Sequence, residues 1–292
     1  MKNWKIGAVS GLIAGIINGI LVTVFARLIS SMGLLDPPFP EIIPYSIEIN
    51  ILLGIFWGIV LGMIFSKVHR LIPGNSLLKG FYFGLIFYII YAIRIHSFFL
   101  AYGAFILDDL ILNLTWPISI TILGILYHYL QIKYRPAEVP KIKTYKISSI
   151  ILPGAIAGFM GGLSASVFAV IGHITGQWGI EVGGQIISTI DFWMSQAGAH
   201  IVINMSWNIV FAIIFAKVYH FIPGGRTIKG LYFGLIMYFI TSFASTVWAV
   251  AWFIYGNYWS TAIHLMVSTL TTALAQFIIF GLVLGYLYKP TK

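Results

Sequence analysis

The sequence contains no cysteine, and charged residues make up only 9% of its 292 positions. The missing cysteine excludes disulfide bridges, thiolate nucleophiles, cysteine-ligated zinc and iron–sulfur clusters. The scarcity of charge excludes a water-soluble globular fold, in which about 25% of residues are charged. Hydrophobic residues reach 59%, and the mean hydropathy is +0.95. This composition is typical of a helical protein that crosses a membrane several times.

Apolar stretches long enough to cross a bilayer, about 20 residues each, occur eight times. We therefore predict an all-α integral membrane protein with eight transmembrane helices. The first stretch is about 24 residues long, longer than the roughly 7–15 apolar residues of a signal peptide, so we interpret it as a retained helix. The stretches lie near residues 6–30, 45–66, 80–101, 107–131, 147–172, 198–216, 230–254 and 260–288.

Charged residues are distributed asymmetrically around these stretches. Fifteen of the 17 lysines and arginines fall at one end of the predicted helices, and seven of the eight acidic residues fall toward the other. By the positive-inside rule, both termini are cytoplasmic and the chain is a multi-pass protein of the cell membrane. The net charge of +9 therefore reports orientation, and nucleic acid is not a predicted partner. Aromatic residues near the cytoplasmic helix ends are predicted to lie at the membrane interface: Trp4, Tyr127, Tyr129, Tyr286 and Tyr288.

An internal repeat divides the chain. Residues 59–90 align without a gap to residues 209–240, and 18 of the 32 positions are identical. We predict a first four-helix repeat over 1–140, a basic cytoplasmic linker over 141–146 and a second four-helix repeat over 147–292. Because each repeat has an even number of helices, both enter the membrane in the same direction. The two parallel repeats are then related by a pseudo-twofold axis along the membrane normal.

Glycine recurs at every fourth position in three of the predicted helices. In a membrane, this spacing lets two helix backbones approach closely and pack by dispersion forces. We predict that the first two helices of each repeat pair along these glycines as a glycine zipper. The predicted helix-packing residues are Gly11, Gly15, Gly19, Gly54, Gly58, Gly62, Gly154, Gly158 and Gly162.

The second repeat carries polar residues where the first has glycine. At the offset of 150 residues, Asn204 and Asn208 replace Gly54 and Gly58. The last predicted helix has polar residues at a similar depth with i, i+4 spacing. Either these side chains line a substrate pathway, or they only hydrogen-bond the helices together. The candidates for a substrate pathway are His200, Asn204, Asn208, His264, Ser268, Thr272 and Gln276.

A few charges lie within the predicted membrane thickness of the first repeat. An unpaired arginine there costs at least about 2.5 kcal/mol, so each arginine needs a partner. We predict that Arg94 pairs with Asp108 or Asp109. We also predict that Arg27 pairs with Glu48 or with the remaining aspartate. Such intramembrane ion pairs are either functional or structural.

The loop between the second and third helices keeps its length and its Pro-Gly dipeptide in both repeats, ending at Gly74 and Gly224. A lysine follows near the start of the next helix, at Lys79 and Lys229. Two interpretations are open: an anion site at the helix N-terminus, or a Pro-Gly turn flanked by lysines. The spacing matches no phosphate-binding loop, which favours the turn.

Three functions fit these patterns. A duplication whose halves have diverged favours a transporter or permease for a small solute, because carriers place their sites at repeat interfaces. The short aqueous segments favour the alternative of a non-catalytic membrane-embedded subunit that anchors or scaffolds a larger complex. Outward-half histidines would suit an intramembrane haem- or metal-binding enzyme, but none has a ligand-like spacing, so we assign no catalytic residue, metal ligand or cofactor. The partners that fit are the lipid bilayer, a small-molecule solute, and membrane protein subunits or further copies of the chain.

Overall fold

The protein consists almost entirely of long apolar helices. The computed structural model describes residues 3–32, 46–94, 113–134, 148–175, 181–182, 185–186, 190–255 and 259–290. Within those ranges, six helices are long and apolar enough to cross a membrane. The chain is therefore a helical multi-pass membrane protein, as its composition predicts.

The chain divides into two compact units. In the first unit, α1 packs along α2, and α4 contacts both α1 and α3. Helix α3 continues through a π-helical turn, in which hydrogen bonds run from residue i to i+5, over Ile89–Ile93. The helices of this unit are α1 (Asn3–Ser31), α2 (Ile47–Val68), α3 (Ser76–Tyr88) and α4 (Thr115–Tyr134).

The described helices of the second unit begin at Ser148. The predicted linker 141–146 lies outside the described residues. Helix α5 packs against α6 and α10, and α7 packs against α10. One π turn, Phe239–Phe243, joins α7 to α8, and another, Thr269–Ala273, joins α9 to α10. The elements are α5 (Ser148–Ile174), β1 (Glu181–Val182), β2 (Gln185–Ile186), α6 (Ile190–Val218), α7 (Arg226–Tyr238), α8 (Ala244–Tyr255), α9 (Trp259–Ser268) and α10 (Leu274–Leu287). Strands β1 and β2 form a short antiparallel pair.

Six of the eight predicted spans coincide with helices that can cross a membrane. The span 230–254 falls on α7 and α8, and the described part of the span 107–131 falls on α4, its first six residues lying outside the described ranges. For both spans, crossing of the membrane stays a prediction. Helix α3 begins at Ser76, four residues before its predicted span. It begins there because the side chain of Asn75 accepts a hydrogen bond from the backbone N–H of Leu78 at 3.0 Å, which caps the helix.

The two units share their local geometry where the second and third helices meet, which we call the basic end of each unit. A 3-10 turn ends α2 at His69–Leu71, and another ends α6 at Tyr219–Phe221. In the following loop, φ is +97° at Gly74 and +98° at Gly224. Glycine is required there because a side chain would clash in this left-handed conformation. This geometry agrees with the interpretation of each loop as a Pro-Gly turn.

The helix pairs α1–α2 and α5–α6 differ in how closely they approach. A Cβ atom built on Gly11 or Gly15 would overlap the backbone carbonyl oxygen of Gly58 or Gly54. The backbones of α1 and α2 are therefore in direct contact, and no side chain separates them. On α5, a Cβ built on Gly158 would lie 2.8 Å both from the Cβ of Asn208 and from the Cα of Met205. In the second unit, side chains of α6 thus share the space beside α5 with its backbone, and the approach is less close.

A cluster of aromatic rings fills the core at the basic end of the first unit. The ring of Phe65 lies 5.2 Å from Phe83 and 5.4 Å from Tyr127 between centroids, and the ring of His69 lies 4.8 Å from Tyr127. These four residues, the first aromatic cluster, come from α2, α3 and α4 and from the turn after α2. They join the ends of three helices.

The second unit contains the same arrangement. Phe215 lies 5.2 Å from Phe233 and 5.4 Å from Tyr288, and Tyr219 lies 5.1 Å from Tyr288. This second aromatic cluster, Phe215, Tyr219, Phe233 and Tyr288, differs from the first in having tyrosine where His69 stands. The similar centroid distances show that both bundles close their basic ends in the same way.

These clusters correct two predictions about interfacial aromatics. Tyr127 and Tyr288 are only 1% exposed, so the prediction that they lie on the outer surface at the membrane interface is wrong. Rings from neighbouring helices enclose them instead. Tyr129 and Tyr286 are exposed, as expected for interfacial side chains.

Candidate functional site

The predicted pathway residues lie on two helical elements of the second unit. Helix α6 carries three of them, and the continuous helix made of α9 and α10 carries four. His264 and Ser268 are half-buried. The other five are buried: His200, Asn204, Asn208, Thr272 and Gln276. Most of the polar face that the sequence predicts thus points into the bundle.

One hydrogen bond joins the two polar faces across the bundle. The side-chain Nε2 of Gln276 donates to Oδ1 of Asn204. The Nδ2 of Asn204 donates to the backbone carbonyl of His200 at 3.0 Å. Both ends of the Asn204 carboxamide are therefore used, and α6 and α10 are held together at this level.

Two buried polar atoms on either side of this bond have unused hydrogen-bonding capacity. Asn208 donates through Nδ2 to the carbonyl of Asn204 at 2.7 Å, but its Oδ1 has no partner among the described residues. Likewise, the Oγ1 of Thr272 has no hydrogen-bond partner among the described residues. Asn208 is 1% exposed and Thr272 is 7% exposed. A buried polar group without a partner costs about 1–3 kcal/mol in proteins, and more in hydrocarbon, so each atom favours a bound polar molecule.

Glycines of α5 allow both polar faces to approach. A Cβ built on Gly162 would lie 3.3 Å from the Cβ of Asn204, and one built on Gly161 would lie 3.1 Å from the backbone oxygen of Gln276. A larger side chain at either glycine would push α6 or α10 away. The small residues of α5 thus position the carboxamides that meet across the bundle.

The first unit has its own buried polar contacts, which sequence reasoning did not assign. Asn50 donates through Nδ2 to the hydroxyl of Thr23 at 3.1 Å. The hydroxyl of Ser119 donates to Oδ1 of Asn18, also at 3.1 Å. Asn18 and Thr23 follow the glycines of α1 at helical spacing, which is the signal that would have identified them. In the first unit, polar side chains of α1 join it to α2 and α4.

The predicted ion pairs are tested only in part. Arg94 is buried at the end of the π turn that follows α3. Its predicted partners, Asp108 and Asp109, lie outside the described residues, so that pair stays a prediction. Arg27 and Glu48 are both exposed, and no ion pair joins these two described residues. Glu48 instead accepts a hydrogen bond from the hydroxyl of Ser46 at 3.1 Å near the start of α2.

The lysine of the second basic loop makes local contacts. The Nζ of Lys229 donates to the backbone carbonyl of Tyr219 at 3.0 Å and lies 4.4 Å from the centroid of the same ring. A cation near the last carbonyl groups of a helix stabilises it through the helix dipole. Lys229 therefore caps the end of α6, which is a structural role and favours the turn over an anion site.

The site offers uncharged hydrogen-bonding groups. Among the described residues, no group of three or more histidine, aspartate or glutamate side chains is placed to hold a metal ion. The carboxamides and hydroxyls of α6 and α10 can bind a polar molecule but supply no nucleophile activated by a neighbouring base. No protein-family model matches the sequence, and no curated protein or solved structure matches it either.

The bond between Asn204 and Gln276 is tested by a double-mutant cycle. Changing either residue to leucine leaves the other carboxamide without its partner, so each single variant is expected to lose about 1–2 kcal/mol of stability. The double variant should lose less than the sum, by about 0.6–1.7 kcal/mol, which are the average and the maximum coupling for interhelical bonds in a membrane. Unfolding in mixed micelles by a denaturing detergent measures each value. Ser206→Ala, at an exposed position of α6, is the control, and additive losses would contradict the bond.

Proposed function

We propose that the chain forms two parallel four-helix repeats in the cell membrane, with both termini cytoplasmic. The recurrence of local geometry supports this organisation. The 3-10 turn, the positive-φ glycine, the following helix and its π turn recur 150 residues apart, from His69–Ile93 to Tyr219–Phe243. The two aromatic clusters support it further, because six of their eight members are identical between the units.

We propose that the protein is a transporter or permease for a small solute. The buried polar layer of the second unit consists of His200, Asn204, Asn208, Thr272 and Gln276. One observation in this layer carries the proposal: Asn208 Oδ1 lacks a partner among the described residues. Asn208 lies nine residues before Lys217, about 14 Å from the basic end and so in the membrane interior. Burying such a group in a membrane is unfavourable unless water or a solute binds it.

The bond between Asn204 and Gln276 fits a closed state of such a pathway. It holds α6 against α10 between the two atoms with unused capacity, and a solute passing the layer must separate these helices. Membrane interhelical hydrogen bonds are worth only about 0.6 kcal/mol on average, so this bond can exchange with bonds to a solute. In this proposal, α6 and α10 of the second unit move during transport, whereas the first unit stays rigid because the backbones of α1 and α2 are in contact.

Solute flux into liposomes tests the proposal. Purified protein should raise the flux of at least one solute from a panel of sugars, amino acids, polyols and inorganic ions above that of protein-free liposomes. Asn208→Leu should lower that flux about tenfold, since a hydrogen bond of about 1.4 kcal/mol corresponds to a factor of ten. Ser206→Ala on the exposed face of α6 should leave the flux unchanged. A flux that both variants retain in full would count against the pathway.

A second candidate function is a membrane-embedded subunit that anchors a larger complex. The closed packing of the first unit favours it, because the glycines of α1 and α2 leave no space between the helices for a solute. Purification in a mild detergent discriminates between the two functions. A subunit should copurify with a defined partner in fixed stoichiometry, whereas a chain that always migrates alone or as a homo-oligomer would eliminate this candidate.

A further inference from the structure

Two π turns lie side by side in the second unit. The turn at Phe239–Phe243 contacts the turn at Thr269–Ala273. Thr241 lies 15 residues after Arg226, and Thr272 lies 15 residues before Leu287, so both turns are about 22 Å from the basic end. Such turns are rare and occur frequently at functional sites, since they interrupt the regular hydrogen bonding of a helix. The contact between two such turns makes this level of the bundle a candidate functional site.

Threonine hydroxyls occupy the level of the two turns. The hydroxyls of Thr246 and Thr269 are hydrogen-bonded to each other at 2.6 Å, which joins α8 to the turn between α9 and α10. Thr241 donates to the backbone carbonyl of Met237 at 2.7 Å. All of these threonines are buried. An otherwise apolar bundle therefore contains a layer of hydroxyl groups here.

Two further hydroxyls at this level have unused capacity. The Oγ1 of Thr272 lies within one π turn, and the phenol oxygen of Tyr238 belongs to the residue just before the other. Neither oxygen has a hydrogen-bond partner in the described ranges, although each residue is only 7% exposed. The ring of Tyr238 packs 6.3 Å from that of Phe277, on the same helical element as Thr272. Tyr238 thus packs against the helical element that carries Thr272, and the π turns beside the two residues contact each other.

The hydroxyl layer continues into the carboxamide contact. Gln276 lies one helical turn beyond Thr272 and bonds to Asn204 of α6. Helix α5 also contacts the π turn that contains Thr272. A polar molecule at the π turns would therefore be next to the contact that closes the proposed pathway.

The charges of the second unit restrict what can bind there. The described lysine and arginine side chains of this unit are Lys217, Arg226, Lys229 and Lys289, all at the basic end. None lies at the level of the π turns. The described acidic positions of this unit, Glu181 and Asp191, precede Lys217 by 26 residues or more and so lie beyond this level. Among these described residues, an ion of either sign would lose its hydration without gaining a counter-charge, at a cost of several kcal/mol. An uncharged molecule with hydrogen-bond donors and acceptors needs only the hydroxyls and carboxamides that are present.

We propose that the two π turns of the second unit, with Thr272 and Tyr238, form the binding site for a small uncharged polar solute. This inference rests on the proposed transport function and specifies its site and solute class. The solute exchanges hydrogen bonds with the hydroxyls of Thr272 and Tyr238, and it displaces no existing hydrogen bond at this level. Carriers bind their solutes within the membrane where helices are interrupted. These turns interrupt their helices about 22 Å from the basic end, inside a hydrocarbon core about 30 Å thick.

Stopped-flow measurements on liposomes test the site with four probes. Glycerol and urea are the uncharged probes, and choline and acetate are the charged ones. The wild-type protein should raise the flux of glycerol or urea and leave the charged probes at the rate of protein-free liposomes. Thr272→Val keeps the shape of the side chain and removes the hydroxyl, so the flux should fall about tenfold. Tyr238→Phe should lower it in the same direction and serves if the first variant fails to fold.

A neighbouring threonine provides the matched control. Thr271 lies in the same π turn but is exposed, and its hydroxyl donates to the carbonyl of Val267 at 2.8 Å. Thr271→Val should leave the flux unchanged. Transport of only the charged probes would overturn the solute class but keep the proposed function. Uncharged flux that Thr272→Val and Tyr238→Phe both retain would overturn the site. No movement of any of the four probes would overturn this inference, and transport itself would be overturned only if the wider solute panel also failed to move.

Discussion

Gly11→Ala is expected to prevent stable folding of the first unit. The added methyl group would overlap the carbonyl oxygen of Gly58 and would lie 3.1 Å from the Cα of Ile59. Both are backbone atoms of α2, which cannot rotate away as a side chain would. Helices α1 and α2 would have to separate along their whole contact. We expect a loss of about 3 kcal/mol or more, at or above the upper end of the usual cost of overpacking a core.

Two other glycines provide a graded control for this substitution. A methyl group on Gly198 of α6 would meet nothing within 4 Å, so Gly198→Ala should be neutral or stabilising by up to about 1 kcal/mol through helix propensity. On Gly162 it would lie 3.2 Å from the Cα of Ile201, and its cost should be intermediate. Thermal unfolding in detergent, followed by size-exclusion chromatography, ranks the three variants. Equal stability of the Gly11 and Gly198 variants would contradict close backbone packing.

The spacing of glycine indicates where helices can approach, but it cannot specify how closely they do. Gly15 and Gly158 occupy corresponding positions of the two units in sequence, at an offset of 143. A Cβ on Gly15 would overlap the backbone carbonyl oxygen of Gly54, whereas one on Gly158 would lie 2.8 Å from the Cβ of Asn208. The opposing residue decides the interhelical distance. That pairing depends on rotation and register, which a single helix does not encode.

Helix positions were predictable from apolar runs, but some boundaries and the π turns were not. Helix α6 begins at Ile190, eight residues before its predicted span, because polar residues such as Asp191 lower the local hydropathy without ending the helix. The π turns at Ile89–Ile93 and Phe239–Phe243 have different sequences, IIYAI and FITSF. Their presence depends on contacts with neighbouring helices, for which local propensity gives no signal.

The polar layer was predictable in its members and not in its bonds. The offset of 150 residues identified Asn204 and Asn208 because they replace glycine. Which of them meets Gln276 depends on the relative height of α6 and α10. The aromatic clusters were missed because Tyr127 and Tyr288, near helix ends, fit the general preference of tyrosine for interfaces. The signal was present in their correspondence at an offset of 161 and in that of their partners at an offset of 150.

Phe215→Ala is expected to destabilise the second unit strongly. The ring of Phe215 is completely buried and contacts the rings of Tyr219, Phe233 and Tyr288 within 5.2–5.4 Å. Its removal leaves a cavity where three helices and the turn after α6 meet. A buried Phe→Ala change costs about 3–5 kcal/mol in water-soluble proteins. We expect the lower end of that range, about 3 kcal/mol, because lipid replaces water in the unfolded reference and the hydrophobic contribution is smaller.

A control variant distinguishes the loss of ring packing in the core from the loss of any phenylalanine ring. Phe159 on α5 is 42% exposed, so Phe159→Ala should cost less than about 1 kcal/mol in the same unfolding measurement. Phe65→Ala should match Phe215→Ala, since Phe65 has the same contacts in the first aromatic cluster. Leucine fills most of the space that the ring occupies, so Phe215→Leu should be much more stable than Phe215→Ala. A loss from Phe215→Ala as small as that from Phe159→Ala would mean that the bundle does not depend on this cluster.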